Sequence, residues 1–239
     1  MISSSTLATS VLCAALFSPL GAAQDLAKYR DFQFGMSLES VAKQIHVNAS
    51  EAKTTYQRPA LIQTLQWDQF GYSGLSAKAD SLRNVRFVFY NGGLSKMVVT
   101  YDPAGTLGLT TDDMIEAISA LYGPATRPER TIAVSTSVVY EDNEKVLACW
   151  EDAQYSYNLF RASYGNTFGL VAFSKKLDLM ASESSREADR LDKLEAPGKE
   201  LVRLMRQEED KRAAQEKARL ISKPKFRPPD LREFRMSQF

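Results

Sequence analysis

One histidine and two cysteines are the chain's whole supply of its most versatile catalytic and metal-binding side chains. A Ser-His-Asp or Cys-His arrangement would have to use His46, with Cys149 as the only thiol once the first 23 residues are removed. One histidine and one cysteine do not make an ordinary structural zinc site. Cys149 alone makes no intramolecular disulfide and reads as a small buried hydrophobe on a strand. His46 follows a helix end, where the dipole favours it, and reads as structural. No Walker loop or dinucleotide fingerprint occurs, because the glycine pairs at 71/74 and 105/108 lack the rest of either pattern. "GYSGL" (Gly71 to Leu75) falls one residue short of G-x-S-x-G and reads as a loop. No cofactor and no metal is expected.

Excess charge is also missing. Thirty Lys and Arg stand against 29 Asp and Glu, without the basic surplus of a protein that coats nucleic acid. Long apolar runs are absent too. Leu7 to Phe17 is the most apolar stretch, and it is shorter than the roughly 20 residues a membrane-spanning helix needs. The first 23 residues carry no charged side chain, Pro19 and Gly21 interrupt them, and "GAA" (Gly21 to Ala23) offers a cleavage site. The expectation is a secretory signal peptide over 1–23, cleaved after Ala23, and a periplasmic or secreted protein. Leu12 before Cys13 does not fit a lipoprotein signal. A barrel strand ending at Phe239 is excluded because Leu231, Glu233, Arg235 and Ser237 do not keep an apolar alternation.

What is present is a unit that occurs twice. "GMSLESVAKQI" (Gly35 to Ile45) aligns with "GLTTDDMIEAI" (Gly108 to Ile118). Ser37 and Thr110 are N-cap candidates, and Thr110 with Asp113 approximates a capping box. Glu39, Asp112 and Asp113 lie at the positive end of each helix dipole. Leu38, Val41, Ala42 and Ile45 form one apolar face; Met114, Ala117, Ile118 and Leu121 form another. Gly123-Pro124 stops the second helix.

Strand-like runs follow each helix: Leu61 to Asp68, Val85 to Tyr90 and Leu94 to Tyr101, then Thr136 to Tyr140, Lys145 to Asp152, Tyr155 to Ala162 and Phe168 to Ser174. Asn91-Gly92 is a strong hairpin turn, and Tyr164-Gly165-Asn166 makes the last connection. Trp67-Asp68 and Trp150-Glu151 occupy comparable places. The expected fold is α+β: two tandem repeats of an N-capped helix and an antiparallel meander, over 24–103 and 104–175.

Gly108-Leu-Thr, the acids and apolar helix after it, and "LYGPA" (Leu121 to Ala125) resemble the motif that opens domains of the BamE/SmpA type. The related tandem β-lactamase-inhibitor-protein fold is similar. The resemblance covers Phe32 to Phe173 as two copies. It implies an extracytoplasmic α+β domain whose sheet face meets another protein.

From Lys176 the sequence becomes charge-rich. A charged helical segment over 176–222, broken at Pro197-Gly198, and a basic proline-rich disordered tail over 223–239 are expected. Leu191, Leu194, Leu201, Leu204 and Met205 give it a thin apolar stripe, short of the heptads a coiled coil needs.

The functional expectation is a non-enzymatic protein-binding or envelope-associated module, with another envelope or secreted protein as its partner. Trp150, Tyr155 and Tyr157 are the candidate binding residues, because such side chains anchor protein contacts when a sheet face is open. The alternative is a carboxylate-dependent hydrolase acting on a cell-wall or polymeric substrate. No carboxylate pair stands out for it: Asp112-Asp113 fit a helix start, and Glu151-Asp152 the turn after a strand.

Overall fold

The computed structural model describes residues 25–68, 81–134, 143–163 and 165–227. The expected signal peptide, "GYSGL", the strand expected at Thr136 to Tyr140 and the end of the tail lie outside them. The chain divides into two compact units, Met1–Ser182 and Glu183–Phe239.

The first unit is organised by its two helix entrances. Gly35 and Gly108 both hold positive φ, +89° and +82°, a backbone conformation that side chains disfavour. Two residues after each, a hydroxyl caps a helix. Ser37 Oγ accepts from the Ser40 amide at 3.2 Å and starts α1 (Leu38–Gln44). Thr110 Oγ1 accepts from the Asp113 amide at 3.2 Å and starts α2 (Thr111–Tyr122). The Thr110 amide donates to the Asp113 carboxylate at 2.7 Å, closing the capping box. His46 ends α1 with φ +55°: its amide bonds Lys43 O while the Val47 amide bonds Ala42 O, the two-bond closure of a Schellman motif. Its role there is structural, and it is exposed.

A short ribbon, β1 (Lys28–Tyr29) and β2 (Phe32–Gln33), precedes α1. Between α1 and α2 run β3 (Lys53–Tyr56), β4 (Ile62–Asp68), β5 (Leu82–Tyr90) and β6 (Gly93–Tyr101). After α2 come β7 (Thr131–Ala133), β8 (Asn143–Glu151), β9 (Tyr155–Arg161) and β10 (Phe168–Ser174). All eight form one antiparallel sheet ordered β3-β4-β5-β6-β10-β9-β8-β7. The four strands after each helix thus fill half of the sheet, in opposite spatial order. β6 and β10 meet at the centre, with Val98 opposite Val171. The β5–β6 turn has positive φ at Asn91 and Gly92, and the β9–β10 turn has it at Gly165 and Asn166.

One sheet face carries the main core. Leu65, Trp67, Val85, Phe87, Met97, Val99, Trp150, Leu159 and Leu170 pack with Leu38, Val41, Ile45, Met114 and Ile118 of the helices. Burying this many large apolar side chains, at about 1.5–3 kcal/mol each, is the main force holding helices to sheet. On the opposite face Ile62 and Val88 pack with Ala181, and Val98, Phe160 and Val171 pack with Ile132 and Val134.

The last long element, α3, runs unbroken over Lys175–Ser222. The break expected at Pro197-Gly198 does not occur. Proline removes one helical amide, but Lys199 reaches back across it to Asp192 and Glu195, both at 3.2 Å. Arg190–Glu187 and Arg203–Glu200 pairs add support on either side. Among the described residues no helix is long and apolar enough to cross a membrane.

Candidate partner-binding groove

The three aromatic residues singled out from the sequence face the helices. Trp150 is 2% exposed, and its indole N–H reaches Ser119 Oγ at 3.2 Å and Gly123 O at 3.0 Å. Tyr157, its cross-strand partner, is 0% exposed and packs against Tyr122, with ring centroids 4.7 Å apart. Tyr155 is half-buried and stacks on Phe34. Trp150 and Tyr157 join strand to helix and leave no side-chain surface for a partner.

A polar cluster occupies the other face of β8 and β9. The Arg130 guanidinium donates to Cys149 Sγ at 2.9 Å and to Asn158 Oδ1 at 2.7 Å, and it lies 3.5 Å from Glu151. Lys175, the first residue of α3, pairs with Glu151 at 3.1 Å and donates to Asp152 O. Asn158 donates to Ser156. Burial raises the Cys149 thiol, with the Ser156 hydrogen bond and the Arg130 charge opposing the rise. Burial also pushes Glu151 up, but the hydrogen bond from Lys175 and the charges of Arg130 and Lys175 outweigh that, and its pKa is lowered. Each carboxylate here already has a cation. Asp178 sits 3.9 Å from Lys96 in the same way, with burial raising its pKa. The cluster is self-satisfied and ties the start of α3 to the sheet. Among the described residues no group of His, Cys, Asp and Glu could hold a metal ion.

A groove of about 430 Å³ lies where the β1–β2 ribbon meets the C-terminal end of α2. Asp25, Lys28, Tyr29, Arg30, Leu121 and Tyr122 line it. The ribbon is pinned by the Phe34 amide bonding Ala27 O at 3.0 Å, and by Phe32 packing on Phe87. Tyr29 is buried. Leu121 is 60% exposed. Arg30 sits at the ribbon turn with φ +53° and holds its guanidinium 5.8 Å from the centre of the Tyr29 ring.

Tyr29 and Tyr122 line the groove, and both pack against the buried Tyr157 ring. Burial raises the pKa of Tyr29, Tyr101, Tyr122 and Tyr157, pushing Tyr122 up to about 12, so all four are protonated donors at neutral pH. The Arg30 charge opposes this rise at Tyr29, Tyr101 and Tyr122. The Tyr157 hydroxyl lies behind Tyr122, close enough to feel it. It is buried without a hydrogen bond of sound geometry. Among the described residues no carboxylate pairs with Lys28 or Arg30.

Leu121 and Tyr122 stand out in the sequence only as part of the α2 helix end and the "LYGPA" motif, not as a binding surface. Tyr29 and Tyr122 are brought together only by the ribbon folding onto the end of α2. The one local cue is "KYRDF", two aromatics separated by two charges (Lys28 to Phe32).

No family model, curated protein or solved structure matches the chain.

Proposed function

We propose that the chain is an exported, non-enzymatic module that binds another envelope or secreted protein. It is built from two tandem copies of one capped helix-plus-meander unit, in the manner of the BamE/SmpA and β-lactamase-inhibitor-protein domains it resembles. Three equivalences support the duplication. Left-handed glycine and hydroxyl cap open both helices, Trp67 and Trp150 are buried on the second strand of each meander, and the two meanders lie in opposite order in one sheet. A signal peptide over 1–23 and a mature start at Gln24 belong to the same reading.

The groove between Lys28–Arg30 and Leu121–Tyr122 carries the binding proposal. It combines an exposed leucine, two aromatic walls and two cations that have no carboxylate partner among the described residues. Aromatic and arginine side chains are enriched among the residues that dominate protein interfaces. Trp150 and Tyr157 hold this surface in place from inside the core.

The test is a crosslinking pull-down from the native envelope fraction, comparing the wild type with Leu121→Gln. Glutamine keeps helix propensity and removes the exposed apolar contact. The wild type is expected to recover a partner protein that the variant loses. Clean recovery of no partner by the wild type would overturn the proposal.

A further inference from the structure

We infer that the groove recognises a carboxylate side chain flanked by an apolar residue, on an acidic segment of the partner protein. This rests on the protein-binding reading above and adds the chemistry of what enters.

Two observations carry it. The first is charge: Lys28 and Arg30 stand on the rim without ion-pair partners among the described residues, against one carboxylate, Asp25. Asp25 accepts from the Ala27 amide at 3.0 Å, and two cations against this one carboxylate leave the groove lining with a formal charge of +1. An incoming carboxylate would meet a guanidinium and an ammonium. The side chain next to that carboxylate would meet Leu121 and the faces of Tyr29 and Tyr122.

The second observation is the backbone at Arg30. Its φ of +53° belongs to the left-handed region, which Gly, Asn or Asp reach more readily than arginine. The ribbon turn therefore holds a long cation in a conformation a smaller residue would adopt with less strain. Strain of this kind persists where the surrounding structure fixes it, as it does at the His46 helix end and at many functional sites. The same conformation sets Arg30 beside the Tyr29 ring.

The two properties separate in one substitution. Arg30→Gly relieves the left-handed turn, so its melting temperature should equal or exceed that of the wild type. It also removes the guanidinium, so binding should fall. The probe is acetyl-Glu-Phe-Glu-Leu-amide, titrated into the full chain and followed by two-dimensional NMR at the Leu121 methyl groups. Its glutamine isostere and the glutamine peptide with a free C-terminal carboxylate serve as comparisons.

The expected result is saturable binding of the glutamate peptide that weakens about tenfold on Arg30→Gly, less on Arg30→Lys, and falls with added salt. Equal binding of the glutamine isostere, equal binding by Arg30→Gly, preference for the free C-terminus or binding of none of the three would each overturn the inference. In the envelope pull-down, capture of the same partner by wild type and Arg30→Gly would overturn it while leaving the protein-binding function standing. Loss of all capture by the wild type would remove both.

Discussion

The ring of Phe160 lies across Gly169 on the neighbouring strand, in the space where a β-carbon at 169 would stand. Phe160 in turn packs between Val98 and Val171 on the sheet face opposite α1 and α2. The absence of a side chain at 169 is what lets an aromatic ring lie flat against the sheet there.

Gly169→Ala should therefore force the Phe160 ring out of its packed position. A loss of about 1–3 kcal/mol is expected, the usual cost of inserting a methyl group into a filled core. Urea denaturation of a double-mutant cycle with Phe160→Leu checks the cause. Leucine clears the methyl, so the two losses should be clearly less than additive.

Trp150→Phe removes the indole N–H that bonds Ser119 and Gly123 and so ties β8 to the end of α2. The expected cost is about 1–2 kcal/mol, a hydrogen bond plus a small cavity. Thermal unfolding reads the loss.

Ser37→Ala and Thr110→Ala should each cost about 1 kcal/mol, the ordinary value of a helix cap. The two caps share no hydrogen-bond partner, so their effects on the urea midpoint should add to within about 0.5 kcal/mol. A large coupling between them would show that the two helix entrances are linked through the sheet.

Asp178 and Glu151 should act on stability with opposite pH slopes. Burial raises Asp178 above the usual aspartate value of about 3.9, the Lys96 charge offsetting part of it. Its folded pKa exceeds its unfolded one, so its contribution is present below about pH 4 and is lost as pH rises through the raised value. Burial also pushes Glu151 up, but Lys175 and Arg130 reverse the sign. Its contribution is present above the unfolded value of about 4.3 and is lost as pH falls through the lowered one. Asp178→Asn should raise the urea midpoint at neutral pH and leave it unchanged in acid. Glu151→Gln should lower it at neutral pH and leave it unchanged in acid.

Pro197→Ala should increase the helical circular-dichroism signal, since proline is about 3 kcal/mol worse than alanine in a helix interior. An unchanged signal would mean that the ion pairs around Lys199 already hold that turn fully.

The sequence announces its helices and long strands because each carries a local marker. The Gly35/Ser37 and Gly108/Thr110 pairs mark the caps, and Asn91-Gly92 marks the central turn of the first meander. β3 escapes notice because it is a short edge strand of polar residues, Lys53 to Tyr56, with no apolar alternation to display. The β1–β2 ribbon escapes for the same reason, at two residues per strand. The proline in α3 misleads because local propensity gives no weight to ion pairs that span it. The groove is invisible for a different reason. Its aromatics are Tyr29 of the β1–β2 ribbon and Tyr122 of α2, and only tertiary packing joins them. Trp150, Tyr155 and Tyr157 catch the eye instead, yet alternation along β9 fixes only which residues share a face. Which face the helices cover is decided elsewhere in the chain.

The strand synthesised last, Phe168–Ser174, takes the middle place in the sheet. Until it arrives, β6 keeps an open edge, and the first meander waits as an unfinished template while some 70 further residues emerge. Completing the sheet depends on this late, long-range docking, which makes folding slow compared with a chain of local contacts. A chain truncated before Phe168 would be left with two sticky half-sheets and no seam to close them.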